Sequence, residues 1–178
     1  KLMMAFITVT VLMAIVGTAS YVQNRNTKTS ATEDLYQVVS DLDYAWMLVE
    51  SQQQLDLAAK DYLFVSDHST QASEAYLEEK ARTEMLYRAY YEDSSGYIRQ
   101  MLEKYDIDMQ LYTDAIEAAF VLSEDGADFE VIGEQVDLAD EYIGGARKNA
   151  LDSIVNYIHS EQLGPAKDSI EDSIDQTT

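Results

Sequence analysis

Two histidines, His68 and His159, are the side chains best suited to hold a metal ion or move a proton near neutral pH. A helical metal site needs a second ligand about one turn away, and neither histidine has one, so both read as surface residues. The carboxylate pairs Asp41 with Asp43 and Asp106 with Asp108 stand two apart, which on a helix points them to different sides. They read as solvated charge, not as an acid and base sharing a substrate. No cysteine, glycine-rich phosphate loop or nucleophile elbow occurs. The expectation is a chain with no catalytic residues, no metal and no cofactor.

Thirteen tyrosines are the other chemical resource. Several, including Tyr105, Tyr112 and Tyr157, recur at inward helical positions, where each buried hydroxyl needs a partner. Amphipathic packing accounts for them, and so does a polar pocket. In an antiparallel arrangement, counting residues from the turns brings Gln53, Arg82, Tyr112 and Tyr142 to one level. That layer is the candidate site for a small polar ligand. In the stretch SQQQ, Gln52 or Gln53 falls where the next apolar residue of its helix is due, as a register-fixing or hydrated core glutamine would.

Long helices must position these residues, because one proline and seven glycines in 178 residues leave little material for turns. Apolar residues at Leu35, Val39, Leu42, Trp46 and Val49 predict a helix over about 31–66, ending in the helix-breaking SDHST. A second helix, about 71–92, turns Leu77, Ala81, Met85 and Leu86 inward and stops before Gly96. The third, about 97–122, has the cleanest alternation of four and three: Ile98, Leu102, Tyr105, Met109, Tyr112, Ile116 and Ala119. After SEDGAD a fourth helix over about 128–160 repeats it through Phe129, Ile132, Val136, Ala139, Ile143, Ala146, Ala150, Ser153 and Tyr157. Gly164 and Pro165 end or kink it, leaving a tail at 161–178.

From Leu2 to Val22 no charge occurs for 21 positions, enough helix to cross a bilayer once. The fold class expected is therefore all-α: a transmembrane helix at 1–23 continuing into an antiparallel, up-down four-helix bundle at 24–178. Thirty-three acidic against twelve basic residues give a formal charge of −21 at pH 7. Such a chain repels phosphate backbones, which removes nucleic acid from its expected partners.

The opening KLMMAFITVTVLMAIVGTASYV, the stretch LAAKDYLFVSDHSTQASEAYLEEKARTEML and the later ARKNALDSIVNYI carry a resemblance. Together they look like the extracytoplasmic sensor region of methyl-accepting chemotaxis proteins and related sensor kinases. The resemblance implies a homodimer or larger assembly in the cell membrane, with the bundle outside the cytoplasm. It also implies reception of a small molecule or carrier protein, signalled by a small displacement of the last helix. Arginines on the first bundle helix hold the ligand carboxylate in amino-acid receptors of this kind. Residues 31–66 here contain only Lys60, so that ligand class is not implied. The same sequence fits a second geometry, a pilin-like structural subunit whose hydrophobic helix packs in a filament core with the acidic bundle outside.

Overall fold

The computed structural model describes residues 36–65, 68–162 and 164. The apolar segment Leu2–Val22, Pro165 and the rest of the tail lie outside the described residues. Among those described, no helix is long and apolar enough to cross a membrane, and no strand occurs. The chain divides into two compact units: Ser40–Ile158, and Lys1–Val39 with His159–Thr178. In the second unit the described residues 36–39 and 159–162 are helical. The fold below is that of Ser40–Ile158, with residues 36–39 and 159–162 as the helical stretches that continue it in sequence.

Four helices build this unit. α1 spans 36–64, α2 Thr70–Asp93, α3 Gly96–Glu124 and α4 Phe129–Gly145. The last rod continues past α4 as a π turn over Ala146–Leu151, a short helix α5 at Asp152–Tyr157, and a second π turn over Ile158–Gln162. Cross-helix pairs fix the directions. Tyr44 stacks on Tyr90 and Ser51 bonds Thr83, so α1 and α2 are antiparallel. Tyr76 meets Phe120 while Tyr87 stacks on Tyr105, so α2 and α3 are antiparallel as well. Asp108 faces Gly145 and Tyr97 meets Tyr157, which runs α4 and α5 back along α3. Lys60 bonds Asp140, joining α4 to α1.

The turns are made by the residues whose chemistry suits them. Ser69 caps α2, its hydroxyl accepting from the Ala72 amide at 3.2 Å. Only Ser94 and Ser95 separate α2 from α3. At the end of α3 the chain closes in a Schellman arrangement: the Ala127 amide donates to Leu122 at 2.9 Å and the Gly126 amide to Ser123 at 3.1 Å. Gly126 stands at φ +74° with open space around the position of a Cβ, so its requirement is conformational alone. Gly126→Ala is expected to lower stability by about 1 kcal/mol, read from the urea unfolding midpoint.

The inward faces correct two sequence expectations. α3 buries Ile98, Leu102, Tyr105, Met109, Tyr112, Ile116 and Ala119, the seam its spacing predicts. On α1 the buried seam is Asp41, Ala45, Leu48, Gln52, Leu55, Ala59 and Tyr62, one residue out of phase with the expected stripe, of which Val49 alone is buried. Trp46 is 59% exposed and Val39 46%. Asp41 is buried, not solvated as its spacing from Asp43 suggested. On α2 the seam is Ala72, Tyr76, Thr83, Leu86 and Tyr90, while Leu77 and Met85 face outward and only Leu86 keeps its expected place. Both helices chose the small or amphipathic residues at seven-residue recurrence, such as Ala45, Gln52 and Ala59, because these admit close helix approach and satisfy one another's polar groups.

Along the fourth rod Ile132, Val136, Ala139, Ala146 and Ala150 are buried as expected, but Phe129 is exposed. Beyond Ala150 the buried residues are Leu151, Ile154 and Ile158 instead of Ser153 and Tyr157. A π turn holds one residue more than an α turn, so it rotates everything after it by one position. Close packing on α3 is visible at its start, where a Cβ on Gly145 would stand 3.2 Å from Asp108 Oδ2.

Candidate functional site

A groove of about 480 Å³ lies between α2 and α3. Its origin lies in the α2 seam, where Thr83, a small residue, occupies the level between the larger Tyr76 and Tyr90. The Thr83 hydroxyl donates to the Glu79 carbonyl at 2.9 Å and lies 2.7 Å from Ser51 Oγ, which holds the small side chain against α1. The floor of the groove is then Leu55 from α1 with Tyr105 and Met109 from α3. Met109 is itself fixed, since the buried Gln52 Nε2 donates to its sulfur at 3.2 Å. Tyr87 forms the wall, its ring stacked on Tyr105 at 5.9 Å and 18°.

Charge is concentrated on the rim. Lys80 pairs with Glu117 at 2.6 Å across the groove, and Arg88 pairs with Glu84 at 3.5 Å on α2. Asp106 accepts from Gln110 Nε2 at 2.8 Å. Asp114 lines the same groove and forms no ion pair with a described residue. Two carboxylates are thus left uncompensated by a cation. Burial, with the nearby Asp106, Tyr91 and Glu103, pushes the Tyr87 hydroxyl up to about 12.

The expected ligand layer is not assembled as drawn. Tyr112 is fully buried and Tyr142 half-buried, but Gln53 and Arg82 are exposed. Arg82 stands over Glu79 of its own helix at 3.6 Å. Both Gln53 and Arg82 lie on outward faces of their helices. Gln52 takes the inward place, as one of the two glutamines had to. Tyr112 belongs to a separate polar centre with Asp56, where its pKa is raised by burial first and by the carboxylates of Asp56 and Asp140. Lys60 Nζ lies 2.8 Å from both Asp56 Oδ2 and Asp140 Oδ1. Burial works against the Lys60 charge, but the two carboxylates outweigh it and raise its pKa.

His68 also differs from a plain surface residue. It is half-buried at φ 57°, its Nε2 lies 2.6 Å from Ser123 Oγ, and its ring lies 5.2 Å from Tyr62. It ties the α1–α2 turn to the end of α3. His159 is exposed. Among the described residues no three His, Asp or Glu side chains are placed to share a metal ion. The groove residues Thr83, Tyr87 and Asp106 were missed by sequence reading. Their signal was the small Thr83 in the seven-residue recurrence with Tyr76 and Tyr90.

Comparison with protein-family models, with curated proteins and with solved structures finds no match to this chain.

Proposed function

We propose that this chain is the ligand-receiving module of a membrane-anchored sensor of the chemoreceptor or sensor-kinase kind. The supporting observation is that one helix, α3, serves both the α2–α3 groove and the packing against the last rod. A groove of about 480 Å³ suits a small molecule. Whatever it holds touches α3 at Tyr105, Met109 and Asp114. On its other side α3 meets Gly145 at the entrance to the π turn. A π turn gives the rod a place where register can change by one residue, a small discrete step of the kind packed helices use to switch.

In this reading Leu2–Val22 is a membrane anchor, the four-helix bundle stands outside the cytoplasm, and the chain self-associates as a homodimer or larger assembly. No catalytic step is assigned to it, and its acidity disfavours nucleic acid.

One observation favours the structural-subunit alternative: Trp46, Met47, Phe64 and Phe129 are large apolar side chains left exposed. Negative-stain electron microscopy of membranes from cells expressing the full chain separates the two. The sensor reading expects discrete membrane-bound particles. Filaments carrying the bundle on their surface would overturn it in favour of the subunit.

A further inference from the structure

The last rod carries two seams one residue apart. Continued from Ala146 as an uninterrupted α-helix, it would turn Ala150, Ser153 and Tyr157 toward α3. The π turn over Ala146–Leu151, in which the Asp152 amide donates to the carbonyl of Arg147 five residues back, takes up one residue more. Leu151, Ile154 and Ile158 are buried instead. One turn therefore selects the seam.

Opposing costs act on that selection. The observed seam buries three large aliphatic side chains but holds a rarely adopted turn. The uninterrupted seam restores α-helical hydrogen bonding but offers only an alanine, a serine and a tyrosine. Its residues already stand beside the contact. Ala150 is fully buried, Ser153 and Tyr157 are half-buried, and the Tyr157 ring lies 4.7 Å from that of Tyr97 on α3. Turning α5 breaks no ion pair among the described residues, since Asp152 is its one charged side chain and pairs with none of them.

We propose that α5 is a two-register switch. When its π turn relaxes into α-helix, each residue from Ala150 onward takes the place its successor held, and the segment turns by about 100°. Ala150 then replaces Leu151, Ser153 replaces Ile154 and Tyr157 replaces Ile158 against α3. α4 keeps its own seam, because the step begins at Ala146. This rests on the sensor reading and supplies its moving part: a rotation of one short helix with two defined end states.

The chain has no cysteine, so disulfide trapping of the full chain in non-ionic detergent reads the two registers directly. Tyr97→Cys with Tyr157→Cys reports the observed register. Tyr97→Cys with Asn156→Cys reports the other, in which Asn156 takes the place of Tyr157 beside residue 97. The second pair is expected to oxidise about tenfold or more slowly than the first, as a minor state does. Ser153→Leu, which improves the alternative seam, is expected to speed the second pair. Ser153→Lys, which would bury a charge there, is expected to suppress it. Deletion of Lys148 removes the residue that the step exchanges, and is expected to suppress the second pair while leaving the first unchanged. Absence of a disulfide in the second pair would overturn the proposal. So would a rate indifferent to these three changes, which would mark local flexing without a change of register. Circular dichroism of each variant separates a lost register from a lost fold, and the two Ser153 variants decide the matter if the deletion does not fold. Whether membranes carry particles or filaments is decided apart from these rates, so the switch and the sensor reading fail separately.

Discussion

Above pH 10 the four-helix unit is expected to unfold in one cooperative step, with helical circular dichroism and tyrosinate absorbance changing together. Tyr76, Tyr90, Tyr105 and Tyr112 are buried with hydroxyls that lack partners. Burial is the largest cause that pushes each well above its usual value of 10. Nearby acidic groups push the same way, Glu117 at Tyr76 and Asp41 at Tyr90.

The sign follows from proton counting. Below pH 10 these tyrosines are protonated in folded and unfolded chains alike and contribute no pH dependence. Above it the unfolded chain releases protons that the folded chain retains, so unfolding is favoured as pH rises. Each such tyrosine costs about 1.4 kcal/mol of stability per pH unit, on the order of 5 kcal/mol per unit for the four. Domain stabilities of about 5–15 kcal/mol are exhausted within roughly one to three units at that slope. Phenylalanine at Tyr105 or Tyr112 is expected to move the alkaline midpoint upward. It is expected to leave stability at pH 7 unchanged or improved, because it removes a buried hydroxyl that has no partner. Independent titration of all tyrosines near pH 10, with helix retained, would show that these rings are not enclosed.

The same tyrosines explain what could be read in advance. α3 was legible because large apolar residues fill its seam from Ile98 to Ile116 and no rival stripe competes. α1 carries two adjacent stripes, and of the greasier one, with Val39, Leu42, Trp46 and Val49, only Val49 is buried in the seam that closes. The seam that closes includes Ala45, Ser51, Gln52 and Ala59, whose value comes from close approach and from partners on other helices, such as the Ser51–Thr83 pair at 2.7 Å. Hydropathy along one helix contains no information about those partners. α2 repeats the lesson, since Tyr76, Thr83 and Tyr90 outrank Leu77 and Met85. Turns were legible at Ser69 and Gly126 because a cap and a left-handed position each demand particular residue types. The groove was not, because it is a missing volume: it depends on which residue of α2 faces α3, and that face was misassigned.

The largest mutational contrast is expected at the π turn. Ala146 is followed inward by the small Ala150 and then by the large side chains Leu151, Ile154 and Ile158, which stand five, three and four residues apart counting from Ala146. Remove one residue between Ala146 and Leu151, and the spacings become four, three and four, the seam of an uninterrupted α-helix. Deletion of the exposed Lys148 is therefore expected to preserve the fold, changing stability by no more than about 1 kcal/mol, because it removes the extra residue of a rarely adopted turn and returns Leu151, Ile154 and Ile158 to the seam, displacing only the small Ala150. Deletion of the exposed Asp137 in α4 has no such slack. It rotates Ile132 and Val136 against Ala139 and Ala146, and is expected to cost several kcal/mol, on the scale of about 2–5 kcal/mol for each large core side chain lost. Ile154→Ala belongs with the second group, at about 2–5 kcal/mol, while Ser153→Ala should stay within about 0.5 kcal/mol. Urea unfolding of the four variants decides it: a chain that tolerates loss of Asp137 but not of Lys148, or of Ile154 but not of Ser153, carries its seam on the other face and has no register step for a signal to use.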